Sequence, residues 1–381
     1  MLYYGVAQAA WMDIDPLPVI DRIKELGGNL IYQGMLSKSM NWVSPQGRFG
    51  DVLVRTCNHL HSKGMLLELG IMGRNAWEQM YDWQWKRDLI NNVGGLADEW
   101  IVDCGNIVRE AQPDIITVFN EPFGDLSNGE SASSTFLQKY RDFIVRAIRA
   151  WRQIKPDLIG VVQGVPFWEL QTILNPPFAE PNLLYALHYY YSYEGTYPPS
   201  WEKANLAYWN GDLINAKVLL EQDWLNNMGL QAAINAGVPV FFEEVGSNTR
   251  VPNCTVFLRD AIDLIRKYNM VGFTYLCNDT SRPYPSLFNS DGSLNSLGQV
   301  WVDAMKVPLP PYIETEGGKG GDIVEINKVF TTEISATAEV SVAIKWILAK
   351  TEPTEVPEGF TRFVELDIDL GQLGKLFAYK K

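Results

Sequence analysis

The sequence predicts an α/β protein: a (β/α)₈ barrel of the TIM type, followed by a small β-rich C-terminal module. Two observations over residues 1–306 predict the barrel. Eight short apolar runs recur there, and amphipathic helical segments separate them. Beyond residue 322, apolar and polar residues alternate as they do in half-buried strands. We therefore expect the barrel over 1–306, a linker over 307–322 and a β-sandwich-like module over 323–381.

The eight apolar runs have the length and composition of parallel strands. In chain order they are YYGVAQ, NLIYQG, MLLELG, DIITVFN, LIGVVQG, LLYALHYY, VPVFFEE and VGFTYLC. Each is almost continuously apolar, as strands covered on both faces must be. An open, doubly wound sheet is the rival arrangement, but no G-x-G-x-x-G phosphate loop follows an early strand. The repeats therefore favour the closed barrel.

Three of the segments between these runs show helical periodicity most clearly. Residues 18–28 end on two glycines, as a helix C-terminus commonly does. Residues 254–268 are amphipathic, and so are residues 134–154. The apolar face of the latter segment carries Phe136, Tyr140, Phe143, Ile144, Ile148 and Trp151. We expect these helices to cover the outside of the barrel.

The segments after the barrel differ from it in composition. Residues 307–322 are rich in proline and glycine, which is typical of a linker. Residues 330–346 and 361–371 alternate between apolar and polar side chains. A module of about 60 residues is near the lower limit for independent folding. Since Trp346 is the one ring that stands out as a stacking surface, a structural or spacer role is expected before a sugar-binding one.

Charge and hydropathy argue against several partners. The net charge of −13 and the isoelectric point of about 4.8 disfavour nucleic acid and anionic membrane surfaces. No apolar run reaches the length of about 18 residues that a transmembrane helix needs. The first residues lack the basic and apolar regions of a signal peptide, so an extracellular location is expected only if an export signal has been removed. The cellular location and the oligomeric state stay open.

Polar residues stand where three of the predicted strands end. They belong to the fourth, sixth and seventh runs: Asn120, Glu121, His188, Tyr190, Glu243 and Glu244. The carboxyl ends of the strands carry the active site of a (β/α)₈ barrel, so glutamates from strands four and seven would face each other across its mouth. Successive strand residues point to opposite faces. Only one of Glu243 and Glu244 is therefore expected to point towards the active site, and the alternation of side chains alone does not show which one.

Three short motifs resemble those of one clan of enzymes. The stretch TVFNEPFG resembles the Asn-Glu-Pro motif that ends strand four in the retaining glycoside hydrolases of clan A. PVFFEEVG resembles their strand-seven glutamate segment, and HYY resembles their strand-six His-x-Tyr. Order and spacing are most similar to glycoside hydrolase family 5, the endoglucanase and mannanase family, over about residues 3–306. The resemblance implies a retaining O-glycoside hydrolase that cleaves β-linked glucan or mannan-type poly- or oligosaccharides.

The resemblance also implies roles for the glutamates. A retaining glycosidase needs one protonated carboxyl for the leaving oxygen and one ionised carboxylate for the anomeric carbon, about 5–5.5 Å apart. Glu121 corresponds to the acid/base, and we expect the nucleophile's charge to raise its pKa. Pro122 would hold the turn that presents it. Counted from Pro239, the family register selects Glu244 as the nucleophile and gives Glu243 a capping or ion-pair role behind the strand.

Other residues near the strand ends are expected to bind the sugar, with no metal ion or organic cofactor. The expected substrate-binding residues are Asn120, Trp168, His188, Tyr190, Tyr275 and Asn278. Asn120 corresponds to the residue that binds the sugar 2-hydroxyl, a contact that strengthens in the transition state. Tyr190 would donate a hydrogen bond to the nucleophile and keep it ionised. The four cysteines include no C-x-x-C pair, which argues against a zinc site.

The sequence departs from the family pattern at three supporting positions. Tyr32 stands where the family carries an arginine after strand two, and Gly70 stands where it carries a histidine after strand three. Residues 275–277 replace the strand-eight tryptophan. Loss of the arginine is expected to raise the pKa of the nucleophile unless another group, for which Arg74 is a candidate, compensates.

These departures leave two alternatives open. The chain could be a non-catalytic carbohydrate-binding protein on a degenerate barrel, or a glycosidase of another clan A family that takes a different glycan. Turnover of β-glucan or mannan that is lost on substitution of Glu121 or Glu244 would separate the enzyme from the binding protein.

Overall fold

The computed structural model describes residues 3–8, 15–192, 196–200, 202–277, 287–289 and 292–306, together with short strands between residues 324 and 380. The chain divides into two compact units, Met1–Ile313 and Glu314–Lys381. Each unit has its own sheet.

The first unit is a closed barrel of eight parallel strands, as the sequence predicts. The strands are β1 Tyr3–Gln8, β2 Leu30–Leu36, β3 Leu66–Gly73, β4 Ile115–Thr117, β5 Ile159–Val162, β6 Leu183–Tyr191, β7 Val240–Ser247 and β8 Gly272–Cys277. Each strand pairs with the next one along the chain, and β8 pairs with β1. The eight strands coincide with the eight apolar runs, because strands covered on both faces need apolar side chains along their length.

Helices lie between the strands along the chain. The part of the chain that the structure describes contains α1 Leu17–Glu25, α2 Phe49–Ser62, α3 Trp83–Ile90, α4 Leu96–Ala111, α5 Ser134–Arg152, α6 Lys203–Asn210, α7 Leu213–Gln222, α8 Leu230–Ala236, α9 Cys254–Lys267 and α10 Ser296–Lys306. Helix α5 begins after Ser133, whose side chain accepts a hydrogen bond from the backbone N–H of Phe136, and its six predicted core residues are buried. Within the described ranges, no helix has both the length and the apolar character to cross a membrane.

The interior of the barrel changes from apolar to polar along the strands. An apolar plug fills it near the amino-terminal ends: Leu30, Ile115, Val161, Leu184, Ala186, Phe241 and Val271. Two residues beyond several of these positions, on the same face of each strand, the buried side chains are polar. Thr117 follows Ile115 in this way and Glu243 follows Phe241, and both are fully buried. A buried polar layer therefore lies beneath the carboxyl ends of the strands.

The second unit contains an antiparallel sheet. Its strands are β9 Val324–Ile326, β10 Ile344–Ala349, β11 Thr361–Arg362, β12 Ile368–Asp369 and β13 Lys375–Lys380. Strand β13 pairs with β10, β11 and β12, and β9 pairs with β10. The predicted linker, 307–322, lies outside the described residues. The domain boundaries and the sandwich-like arrangement of this module stay predictions.

Candidate active site

The seventh strand contains a β-bulge at its two adjacent glutamates. Phe242 pairs with Leu187 on β6, whereas Glu244 pairs with His188, so Glu243 is an extra residue in the ladder. A bulge resets the alternation of side chains along a strand. Both carboxyls consequently approach His188 in the barrel interior, and they are 0% and 6% exposed for Glu243 and Glu244 respectively. The expectation that one glutamate lies behind the strand is therefore wrong.

Glu244 is held by two tyrosines. The hydroxyl of Tyr32 donates to Oε1 at 3.2 Å, and the hydroxyl of Tyr190 donates to Oε2, as predicted for Tyr190. Nδ1 of His188 lies 3.5 Å from Oε2. Burial raises the pKa of Glu244 to about 6, although the positive charge of His188 opposes this rise. The direction is the one expected for a buried strand-seven carboxylate with no arginine beside it.

The backbone at Glu121 turns sharply where the fourth strand ends. Its φ of 48° lies in the left-handed region, which a residue with a Cβ rarely adopts. Two buried side chains hold the turn. The N–H of Glu121 donates to Oε1 of Gln163 at 2.7 Å, and its carbonyl oxygen accepts from Nζ of Lys86 at 2.7 Å. These contacts fix the direction in which the carboxyl leaves the strand. The left-handed backbone conformation at Glu121 is strained, and such strain is common at functional sites.

The carboxyl of Glu121 pairs with His188. Nδ1 of the imidazole lies 2.9 Å from Oε1 of Glu121. Burial acts to raise the pKa of Glu121, but the hydrogen bond and charge of His188, with the charge of Lys86, outweigh burial and lower it. The prediction that the charge of the nucleophile raises this pKa is therefore wrong, because a cationic neighbour is in direct contact with the carboxyl.

His188 is the centre of the cluster. Its side chain is 1% exposed, and its Nε2 lies 3.0 Å from Oε2 of Glu243. Burial acts to lower the pKa of His188, but the surrounding carboxylates Glu244, Glu121 and Glu243 raise it well above its usual range. Both ring nitrogens face carboxylates. The prediction that His188 binds the sugar stays a prediction.

The two predicted catalytic carboxyls lie close together. One oxygen of Glu121, one oxygen of Glu244 and a ring nitrogen of His188 all lie within 4.8 Å of one another. The same three side chains could each offer one ligand atom to a metal ion, and the expectation of a site without a metal stays a prediction. Two glutamates from opposite sides of the barrel thus meet at its carboxyl-terminal mouth.

The two family departures at Tyr32 and Gly70 belong to one structural feature. The ring of Tyr32 lies over Gly70, since a Cβ added to Gly70 would overlap the tyrosine hydroxyl oxygen. Loss of a side chain on strand three thus makes room for the hydroxyl that reaches Glu244. Arg74 does not replace the missing arginine, because its guanidinium pairs with Asp103 at 2.9 Å.

Gly70→Ala is expected to destabilise the fold by about 1–3 kcal/mol, because the methyl group overpacks against the ring of Tyr32. In a Tyr32→Ala background the same substitution should cost much less, since the ring is gone. Denaturant unfolding of the four proteins in this double-mutant cycle measures the coupling. Gly34→Ala on the neighbouring strand is the control, because its methyl would meet only the flexible Met72 at 3.0 Å. Equal costs of Gly70→Ala in both backgrounds would refute the contact.

Asn120 directly precedes Glu121 in the sequence, and Trp168 packs against a phenylalanine that lies beside His188. Asn120 is 2% exposed, and its Nδ2 donates to the sulfur of Met72 at 3.0 Å. Trp168 is half-buried and packs edge-on to Phe167 with ring centroids 4.8 Å apart, and Phe167 lies 5.8 Å from the ring of His188. Their predicted contacts with sugar stay predictions.

Tyr275 packs among the core residues of the barrel. It is fully buried, and its hydroxyl donates to the carbonyl of Ser247 at 3.1 Å. It belongs to the core cluster that contains Phe242 and Phe273, because alternation along β8 places Thr274, and not Tyr275, on the inward face. The substrate-binding role of Tyr275 stays a prediction. The other strand-eight prediction, Asn278, lies outside the described residues.

Three residues that the sequence did not predict at the site also contact it. Gln163 is the second-to-last residue of the fifth apolar run, so the strand-end rule that selected the other polar residues could have found it. Thr117 precedes the Asn-Glu-Pro motif and donates to Glu243. Lys86 lies in the middle of α3 and is fully buried. The residues around it in the sequence do not distinguish it from a surface lysine.

Solved structures with a similar fold include several family 5 glycoside hydrolases. A GH5-4 broad specificity endoglucanase from Clostridium acetobutylicum has a TM-score of 0.61 and 16% identity, over 80% of this chain and 96% of that one. Thermotoga maritima Cel5A, solved with mannotriose, has a TM-score of 0.55 and 13% identity, over 80% and 97%. Cellulose synthase subunit Z from Clostridioides difficile has a TM-score of 0.56 and 14% identity, over 81% and 100%.

These similarities establish the fold: the chain has the TIM-barrel architecture of family 5 endoglucanases at low sequence identity. No protein-family model matches the sequence, and no curated protein matches it.

Proposed function

We propose that the protein is a retaining glycoside hydrolase of β-linked glucan or mannan-type poly- and oligosaccharides. The observation that carries this proposal is the approach of Glu121 and Glu244, whose nearest oxygens lie within 4.8 Å at the mouth of the barrel. Retaining glycosidases hold their carboxyls about 5–5.5 Å apart, whereas inverting enzymes need about 6.5–9.5 Å to admit a water molecule. The short separation favours direct attack.

The proposed reaction has two displacements. Glu244 attacks the anomeric carbon while Glu121 protonates the leaving oxygen, which gives a covalent glycosyl-enzyme. Water then attacks the same carbon with Glu121 as the base, and Glu244 leaves. The hydroxyls of Tyr32 and Tyr190 hold the two oxygens of Glu244 in a fixed orientation before attack. Asn120 and Trp168 would position the sugar.

The names of the structural neighbours support a β-linked glycan as substrate. They include a broad specificity endoglucanase, and Cel5A solved with cellobiose and with mannotriose. The aromatic pair Phe167 and Trp168 beside the site offers an apolar surface of the kind on which a pyranose ring stacks.

Assays of the purified protein on soluble β-1,4-glucan, mannan and xylan test the proposal. Glucan or mannan is expected to be cleaved, and NMR at early times should show products with the β configuration, as double displacement requires. Binding of these polysaccharides without turnover would instead identify a non-catalytic carbohydrate-binding protein, the alternative that the missing arginine and histidine favour. Initial products of α configuration would refute a retaining mechanism.

The proposed activity is expected to rise with pH through about 6, because Glu244 attacks only after it loses its proton. Tyr190→Phe removes a hydrogen bond that lowers the pKa of Glu244, so the acid limb of kcat/KM should move to higher pH. Tyr191→Phe is the matched control on the same strand, since the Tyr191 hydroxyl donates to the carbonyl of Pro252 at 2.7 Å. An acid limb that Tyr190→Phe leaves in place would contradict the assignment of Glu244.

A further inference from the structure

Glu243 is contacted by three buried side chains, from the fourth strand, the end of the fifth strand and the sixth strand. Nε2 of Gln163 donates to its Oε2 at 2.6 Å, and the hydroxyl of Thr117 donates to its Oε1. Nε2 of His188 lies 3.0 Å from the same Oε2. An ionised carboxylate accepts hydrogen bonds and donates none, and these contacts offer it donors. A fully buried carboxylate in this setting requires a cationic partner, which His188 can be.

The orientation of Gln163 is fixed by the backbone of Glu121. Its Oε1 accepts the N–H of Glu121 at 2.7 Å, so its amide nitrogen faces both Glu243 and, at 3.0 Å, Nε2 of His188. Two protonation states of the imidazole are therefore in competition. A neutral ring would accept a hydrogen bond from Gln163 at a bare Nε2, whereas an imidazolium would donate from Nε2 to Glu243.

We propose that Glu243 is a positioning residue that keeps His188 doubly protonated, so that His188 stores the proton that Glu121 delivers to the leaving oxygen. The inference rests on the proposed function of Glu121 as acid/base. The bulge at Glu243 is the structural cause, because it turns an additional carboxylate towards Nε2 while Nδ1 remains paired with Glu121 at 2.9 Å. A lowered pKa is unsuited to a carboxyl that acts alone as an acid catalyst. It is explained here because the pair of Glu121 and His188, and not the carboxyl alone, holds the proton.

The protons balance over the reaction. When the sugar binds, the Nδ1 proton of His188 moves to Glu121, and His188 becomes neutral while its Nε2–H still donates to Glu243. The Glu121 proton passes to the glycosidic oxygen as its bond to the anomeric carbon breaks and the bond to Glu244 forms. In the second step Glu121 takes a proton from the attacking water, whose oxygen replaces Glu244 on the carbon. That proton returns to Nδ1.

Other titratable groups face the Glu243–His188–Glu121 chain from several elements: Tyr32 on β2, Glu68 on β3, Lys86 on α3, Tyr140 on α5 and Glu244 on β7. Burial raises the pKa of both tyrosines, so they stay neutral in the neutral pH range, and burial also raises the pKa of Glu68. Burial lowers the pKa of Lys86 to about 8, and it remains mostly charged below that pH. Burial raises the pKa of Glu244 to about 6, so its charge changes just below the neutral range, in the parent protein and in Glu243→Gln alike.

NMR of the imidazole nitrogens in the full-length protein tests the inference without an activity assay. The chain has three histidines, so the signals are few, and His188→Asn identifies that of His188. In the parent protein we expect both nitrogens of His188 to be protonated at pH 7. In Glu243→Gln the midpoint of the His188 titration should fall by about one pH unit or more. A neutral His188 with an unprotonated Nε2 in the parent protein would overturn the proposal, even if the variant failed to fold.

Glu68→Gln is the matched control for this substitution. Glu68 is equally buried, and its carboxyl oxygens have no hydrogen-bond partner among the described residues, so the change removes no hydrogen bond to His188. The His188 midpoint should stay within a few tenths of a unit of the parent value in Glu68→Gln. A shift as large as that of Glu243→Gln would show a general response of the interior and overturn the specific role.

Kinetics then connect the network to the reaction. In Glu243→Gln the basic limb of kcat/KM should move to lower pH by the same amount as the His188 midpoint, because the pair loses its proton earlier. A purely structural role would lower the rate at all pH values and leave the limb in place, which would overturn the proposal. If the parent protein hydrolyses no glycan, the proposed function fails, whereas the titration of His188 still decides whether Glu243 controls its proton.

Discussion

Glu244→Ala is expected to lower kcat/KM for a soluble β-glucan or mannan by about 10⁴-fold or more, because the covalent intermediate cannot form without its nucleophile. The side chain lies in the polar layer of the barrel and is held by Tyr32 and Tyr190 from opposite oxygens. Removal of the Glu244 carboxyl leaves the hydroxyls of Tyr32 and Tyr190 in place and opens a space beside the position of the anomeric carbon. Steady-state kinetics on the parent and the variant measure the loss, and thermal unfolding checks that the variant is folded.

An external nucleophile should restore part of this rate. Azide is small enough to enter the space left by Glu244, and one displacement by azide from that side gives a glycosyl azide of α configuration. Glu180→Ala is the control, since Glu180 lies before the sixth strand at the amino-terminal end of the barrel and pairs with Arg149 at 2.6 Å. Near-parent activity in Glu244→Ala without azide would sink the assignment of the nucleophile.

The barrel could be predicted from the sequence because its strands are short, apolar and evenly distributed. The side chains of a strand covered on both faces vary little in polarity, so each strand appears as a continuous run. The same property limits what the sequence says about strand eight. Tyr275 and its neighbours are all compatible with the inner or the outer face, and the sequence alone does not show that Tyr275 packs in the core cluster.

The bulge in strand seven could not be predicted from the residues. In FFEEVG each glutamate follows or precedes an apolar residue, and the pattern is the same whether one or both carboxyls face inwards. Only the pairing of Glu244 with His188 and of Phe242 with Leu187 reveals the extra residue. Alternation along an isolated strand is therefore a poor guide where a strand meets a functional site.

The direction of the pKa shift of Glu121 also could not be predicted from the sequence, because it depends on a contact between strands. The motif brings a second carboxylate near Glu121, and from this a raised pKa follows. In the fold, however, His188 is 2.9 Å from the carboxyl and Lys86 binds the carbonyl of the same residue. The nearest charges are cationic, so the shift has the opposite sign.

The departures from the family pattern change the charge of the site in one direction. Tyr32 is a neutral donor in place of a cation, and Glu243 adds a carboxylate. Both changes make the buried polar layer more negative, which agrees with the raised pKa of Glu244 and of His188. The missing arginine and histidine are therefore compatible with a reorganised catalytic site as well as with a degenerate one, and kinetics of the acid/base variant separate the two.

Glu121→Ala is expected to lower kcat/KM by about 10²–10⁴-fold for a substrate with a sugar leaving group, the usual contribution of general acid catalysis. An aryl glycoside such as a 2,4-dinitrophenyl glycoside needs no proton to leave, so its first step should be almost unaffected. The second step lacks its base, and the glycosyl-enzyme on Glu244 should accumulate, with a burst of phenol before a slow steady state. Stopped-flow absorbance measures the burst.

Azide distinguishes this variant from Glu244→Ala by stereochemistry. In Glu121→Ala, azide attacks the glycosyl-enzyme from the side of the missing carboxyl, and two displacements give a glycosyl azide of β configuration. The two variants should therefore yield opposite anomers from one substrate, which assigns each carboxyl to its side of the sugar. An equal loss of rate on aryl and sugar leaving groups would show that Glu121 does not donate the proton. Under the proposed sharing of a proton between Glu121 and His188, the aryl substrate also separates proton delivery from the positioning of the sugar.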